Sequence, residues 1–303
     1  MVRRGLTSCS LISAAMAAVS LGIQARGAVP GDLEGLWNYA TMTPLERPRD
    51  LAAKASLDPA EAAEYERLTI ERQGAANNTA GPDWWDPGTR FLTGGRTSLI
   101  VDPADGRIPA LTSEAQQRAA ARTQARRARG PADGPEDRAL NERCLNWAVA
   151  GPPMLPGVYN NNVQIIQTRG YVAIVSEMIH DARIVPMDGR AHDDVPRWMG
   201  DSRGRWEGPT LVVDTIGFTD KTAFRGSSDR LHLIERFTRV DAETIEYRFT
   251  AEDPSTWTRP FTATFPLKKT AGPIYEYACH EGNARSMIGM LRGARAQEKP
   301  DER

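Results

Sequence analysis

Between Trp198 and Phe265 the chain alternates apolar and polar residues through several successive runs separated by closely spaced turns. DSRGRWEGP leads into TLVVDTIGF, LHLIERFTRV and ETIEYRFTAEDP follow, and STWTRPFTATFPL closes the series. Alternation with period two puts successive side chains on opposite faces of a strand. Short strands joined by Gly- and Asp-bearing turns build antiparallel sheets. The expected fold is therefore mainly β: an antiparallel calycin-like (lipocalin-like) barrel or a strongly curved sheet, with peripheral helices.

Facing within this stretch singles out one carboxylate. Leu231, Leu233, Glu235, Phe237 and Arg239 share a strand face, so Glu235 stands among large apolar neighbours on the expected interior side. The next two strands would present Ile245, Tyr247, Phe249 and Ala251, then Phe261, Ala263 and Phe265. Such strands can curl around a cavity, with Tyr247 and Trp257 as lining and Arg259 as a further polar group. An apolar setting raises carboxylate pKa values toward neutrality, which suits acid–base work.

Two other places concentrate ionisable groups. YVAIVSEMIHDARIVP reads as a strand with mostly apolar faces, ending in Glu177, His180-Asp181 and then Arg183. These residues are either site groups or a salt-bridge cluster that pins strand ends. The second place is His280-Glu281 beside Cys279. The four histidines, His180, His192, His232 and His280, lack HExxH spacing. A metal centre would need three of them, or a mixture with Glu281 or Asp181, brought together by the fold, and is not favoured. GxSxG, a dinucleotide-binding fingerprint and CxxCH are also missing, so no cofactor is expected. Arg225-Gly226-Ser227-Ser228, preceded by TDKT, has the donors of an anion-binding loop without the Walker spacing, and a solvated loop is the competing reading.

The N-terminal segment carries Arg3-Arg4, an apolar Ala-rich run over 11–23 and small residues at Ala25 and Gly27. This reads as an export signal over residues 1–27, which places the rest of the chain in the periplasm or outside the cell. Residues 28–303 then form a single β-rich domain, with helical insertions near 58–73 and 110–129 and a C-terminal helix near 283–295. After cleavage 35 basic residues would face 39 acidic ones, a net charge of −4, which gives no general attraction for nucleic acid or an anionic membrane. No transmembrane span is expected. Cys144 and Cys279 remain, and an oxidising compartment favours one disulfide between them over two separately buried thiols. Trp84-Trp85, within the Gly/Pro-rich run from Asn77 to Arg90, either line a ligand mouth or plug the end of the sheet.

The motifs EMIHDARI, GDSRGRWEG, TLVVDT, FRGSS, ERFTRVD and YEYACHEGN together resemble a large group of exported, mostly uncharacterised bacterial proteins. The resemblance runs from about Gly35 to Arg295. It implies export and common ancestry and carries no residue roles.

Two readings follow. In the first, the protein is a periplasmic enzyme acting on a small, partly apolar organic substrate through His/carboxylate chemistry, as a lyase, isomerase or hydrolase. Glu235 and His280 form the acid–base pair, with His180 second. Arg183 or Arg259 steadies negative charge, and Glu177, Tyr247, Trp257 and Arg259 contact the substrate. In the second it is a noncatalytic periplasmic binder of a hydrophobic small molecule. An enzyme requires an open cleft where a histidine and a carboxylate converge with free valence, whereas a binder requires an apolar cavity.

Overall fold

The computed structural model describes residues 31–76, 88–147, 149–221 and 224–297. The export signal and the Trp84-Trp85 pair lie outside the described residues.

The alternation seen in the sequence sorts side chains as strand geometry requires. In β8 (His232–Asp241) Leu233, Glu235 and Phe237 are buried, while their sequence neighbours are partly exposed. In β9 (Thr244–Glu252) Ile245, Tyr247, Phe249 and Ala251 point inward, and in β10 (Phe261–Lys269) Phe261, Ala263, Phe265 and Leu267 do so. Burying each such aromatic or aliphatic side chain is worth about 1.5–3 kcal/mol. The sheet is thus held by its inner face.

Before this meander come β1 (Gly35–Asn38), β2 (Ile100–Asp102), β3 (Asn162–Gln167), β4 (Tyr171–Ser176), β5 (Ala182–Pro186), β6 (Asp201–Glu207) and β7 (Thr210–Ile216). Strands lie in the order β5-β4-β3-β1-β10-β9-β8-β7-β6, with β2 paired to β10. Every ladder is antiparallel. Strand β1 joins the two meanders by pairing β3 on one side and β10 on the other.

The result is a nearly closed antiparallel barrel. Its seam lies between β5 and β6, which share no ladder and touch through side chains. Gly204 of β6 allows that approach: a Cβ there would lie 2.3 Å from Met187 Sδ and 2.8 Å from Val185 Cγ1.

Three helices are peripheral: α1 (Pro59–Ala76), α2 (Ser113–Arg127) and α3 (Cys279–Gln297). Asp58 caps α1 by accepting from the amides of Ala60 and Glu61, while Glu61 accepts from the Asp58 amide, a reciprocal capping box. Thr112 caps α2 and donates to the Ser255 carbonyl, which ties the helix start to the turn between β9 and β10. Asp253 organises that turn by accepting from both the amide and hydroxyl of Ser228 and of Ser255, and from Thr256 Oγ1. Helix α3 starts at Cys279, earlier than the expected Asn283. The Asn283 amide instead donates to the Glu142 carbonyl.

The run from Tyr171 to His180 is not one strand. β4 stops at Ser176, and Glu177, Met178 and Ile179 are all buried in the turn to β5. Ile179 and His180 take left-handed backbone angles, with φ of +60° and +49°, so face alternation ends there. A β-branched residue is rarely found in that region, and the conformation costs of order 1–3 kcal/mol.

A candidate ligand cleft at the disulfide end of the barrel

The interior carboxylate found from the sequence is fully engaged. Glu235 is completely buried, and its two oxygens accept from both terminal nitrogens of Arg183 on β5, across the barrel. The Tyr247 hydroxyl donates to Glu235 Oε1 at 2.7 Å and accepts from the Met154 amide at 3.1 Å. Burial opposes the charge on Arg183, but the adjacent Glu235 outweighs it and holds the guanidinium pKa above its usual value. Burial, then the Glu235 charge, pushes the Tyr247 hydroxyl far up. The trio spans the interior of the barrel as a bidentate ion pair closed by a phenol.

The remaining predicted residues are spread over several places. Glu177 is buried and accepts from the side chain of Asn162 and from the Tyr275 amide, joining β3 to the segment before α3. Trp257 is buried against Phe261, and its indole N–H has no partner among the described residues. Arg259 is exposed and pairs with Asp102 at 2.6 Å. His180 and His280 are exposed. The structure brings Arg183, Glu235 and Tyr247 together, and packs Met178 and Ile179 against Cys279. It does not bring His280 to Glu235, whose hydrogen-bond partners are Arg183 and Tyr247.

A different chain of histidines and carboxylates runs over the outer face of β6, β7 and β8. His232 Nε2 and His192 Nε2 both meet the Asp214 carboxylate at 3.0 Å, and His192 Nδ1 meets Asp201 at 3.0 Å. Arg197 and Arg203 also pair with Asp201. Burial acts to raise the Asp201 carboxyl, but hydrogen bonds from Arg203, the Asp193 amide and His192 together hold it below its ordinary value. A cleft of about 440 Å³ at the barrel seam is lined by Arg183, Asp201 and Arg203. Among the described residues no group of three or more His, Cys, Asp or Glu side chains is arranged to hold a metal.

This chain was not read from the sequence, because its members sit on three strands and one loop. The register Asp214↔Ile234 and Arg203↔Asp214 is what sets them side by side. The signal was Asp214 and His232, two polar residues on the outer faces of otherwise apolar strands.

A cleft of about 740 Å³ opens at the other feature missed in the sequence, the surroundings of Trp147. Its lining includes Leu45, Leu99, Leu155 and Met178, with Tyr65, Trp147 and Tyr159 as the aromatic part and Arg72 and Arg225 as the cations. Trp147 packs edge-on against Tyr159 and Tyr277, at 5.7 and 6.1 Å between ring centroids. The Cys144–Cys279 disulfide, with Cα atoms 6.0 Å apart, sits behind this cluster and ties α3 to the loop before Trp147.

Backbone strain gathers at the same end. Among the described residues five non-glycine positions have positive φ: Cys144, Asn160, Ile179, His180 and Arg225. Arg225 lines the cleft itself, and Ile179 follows the cleft residue Met178. Asn160 lines an adjoining hollow of about 510 Å³ that also includes Tyr277 and Cys279. Strained backbone persists where surrounding packing over-determines it, and it concentrates at ligand clamps and active sites.

Among the described residues no helix is long and apolar enough to cross a membrane. No family model, curated protein or solved structure matches the chain.

Proposed function

We propose that the protein is an exported binder of a small, partly apolar organic molecule, held in the cleft at the disulfide end of a calycin-like barrel. The observation that carries this reading is the cleft's composition. About 740 Å³ is lined by Leu, Met, Val, Pro and aromatic side chains with a few polar groups, and its described lining contains no histidine or carboxylate. Ligand sites of this volume are usually apolar, with a small number of orienting groups. Glu235, with both oxygens engaged inside the barrel, acts in this reading as a structural anchor. The disulfide is in keeping with export, since such bonds persist in oxidising compartments.

The test is extraction of small molecules from the purified full-length chain and from Val158→Glu, read by mass spectrometry. Val158 lines the cleft and is largely exposed, so the substitution charges the cleft without disturbing the core. The wild type should carry an apolar compound, or take one up from a library, and the variant should not. Equal uptake by both would sink the reading.

One observation favours the enzymatic alternative. His232 is oriented by Asp214, which is backed in turn by His192 and Asp201, and His232 Nδ1 makes no hydrogen bond among the described residues. A histidine oriented by a carboxylate, with its other nitrogen available, is the arrangement a general base requires. In that reading turnover of a lyase, isomerase or hydrolase substrate disappears in His232→Gln and survives in His280→Gln.

A further inference from the structure

The cleft's cations have no counter-charge. Its described lining contains two arginines and no aspartate or glutamate. Arg72 donates to Thr69 Oγ1 at 3.0 Å and lies over the Tyr65 ring, 5.8 Å from its centroid. Arg225 has no hydrogen bond or ion pair among the described residues. Several other guanidinium groups of the chain are neutralised: Arg67, Arg129, Arg183, Arg190, Arg197, Arg203, Arg205, Arg236 and Arg259 all pair with carboxylates. Beside the apolar cleft neither Arg72 nor Arg225 has such a carboxylate partner among the described residues.

Arg225 is also fixed in place. Phe224, just before it, is buried against Phe249 and Phe261. Ser227 and Ser228, just after it, are buried, and Ser228 gives its amide and hydroxyl to Asp253. Between these anchors Arg225 takes a left-handed backbone, with φ of +50°, and lines the cleft. A glycine would take that conformation without strain, and a solvated loop has no need of an arginine there. Of the RGSS serines, which the sequence offers as anion donors, Ser228 commits its amide and hydroxyl to Asp253 and Ser227 its amide to the Phe224 carbonyl. The arginine remains.

We infer that the cleft's ligand is an amphiphilic oxyanion, a carboxylate or phosphate monoester on an apolar body, with its charged head on Arg225 and its body over Leu45, Leu99 and Leu155. This rests on the reading of the cleft as a ligand site and adds the ligand's charge class. The guanidinium fork matches the geometry of either head group, and Arg72 on its tyrosine supplies a second positive charge at the rim. The aromatic residues Trp147 and Tyr159 give a flat body faces to stack on.

Matched probes test this: 2-naphthoate, 2-naphthyl phosphate and the neutral 2-naphthamide, titrated by calorimetry into the full-length chain. The variants are Arg225→Gln and Arg225→Gly, the second compatible with the left-handed backbone whatever becomes of the side chain. The expected result is at least tenfold tighter binding of an anion than of the amide. Both variants should weaken the anion tenfold or more and leave the amide unchanged, and salt should weaken the anion alone. The better of the two anions identifies the head group. Equal affinity for anion and amide, unmoved by either variant, would overturn the charge assignment while leaving a cleft that binds apolar molecules. Binding of none of the three by the folded wild type would overturn the cleft reading itself, and this inference with it.

Discussion

Arg183 and Glu235 sit 52 residues apart in sequence and meet inside the barrel with both oxygens of the carboxylate engaged. Removing one partner of such a pair leaves a buried charge unmatched and costs about 3–5 kcal/mol. Glu235→Ala should therefore lower the free energy of urea unfolding by about that amount. Arg183→Met with Glu235→Leu should recover most of the loss, because well-packed apolar replacements of buried pairs are often neutral or better. The sequence showed Glu235 as an interior carboxylate, because period-two facing is a local property. It also named Arg183 and Tyr247, but it could not show that they converge, since that depends on barrel closure bringing β5 across to β8. Asp181 offers a pH test. Burial raises its carboxyl pKa to about 6 from 3.8, with His180 opposing, and one oxygen has no partner among the described residues. The folded state thus holds this proton more tightly than the unfolded chain, so the contribution of Asp181 to stability is greatest below about 4 and falls as pH rises to about 6. Asp181→Asn should be stabilising at pH 8, with the gain fading between pH 6 and pH 4. A pH-independent difference in melting temperature would contradict this.

At the scale of elements, the strands with clean alternation were legible and the turns that shape the cleft were not. β8, β9 and β10 bury the residues that period two assigns to their inner faces. The reversal at residues 177–181 was hidden, because its buried Met178 and Ile179 continue an apolar run that looks like strand. Trp147 and Tyr159 were equally opaque: both lie in loops, and their contact with Tyr277 depends on the disulfide-linked segment before α3. That disulfide spans 135 residues, a closure worth about 5 kcal/mol in the chain-entropy description. Reduction should lower unfolding free energy by a similar amount and increase amide exchange over residues 275–297 first. Uniform exchange across the sheet and α3 after reduction would show that α3 is held independently of the bond.

For the whole molecule, the barrel was foreseeable as an architecture, whereas its closure rests on β1 bridging two meanders and on Gly204 admitting Met187 and Val185 at the seam. Gly204→Ala should cost about 1–3 kcal/mol by overpacking that contact, while Gly170→Ala, where an added Cβ meets nothing within 4 Å, should be nearly neutral. Two places on the barrel are candidate functional sites: the apolar cleft with Arg225 at the disulfide end, and the His232–Asp214–His192–Asp201 chain on the outer wall. Nuclear magnetic resonance distinguishes them in one titration of the labelled, full-length protein with 2-naphthoate, following the indole N–H of Trp147 and the ring signals of His192 and His232. The account predicts saturable shifts at Trp147 and at the backbone amides of Leu155, Tyr159 and Arg225, with the two histidines unmoved. Shifts confined to His192 and His232, or none at Trp147 at saturating probe, would contradict it.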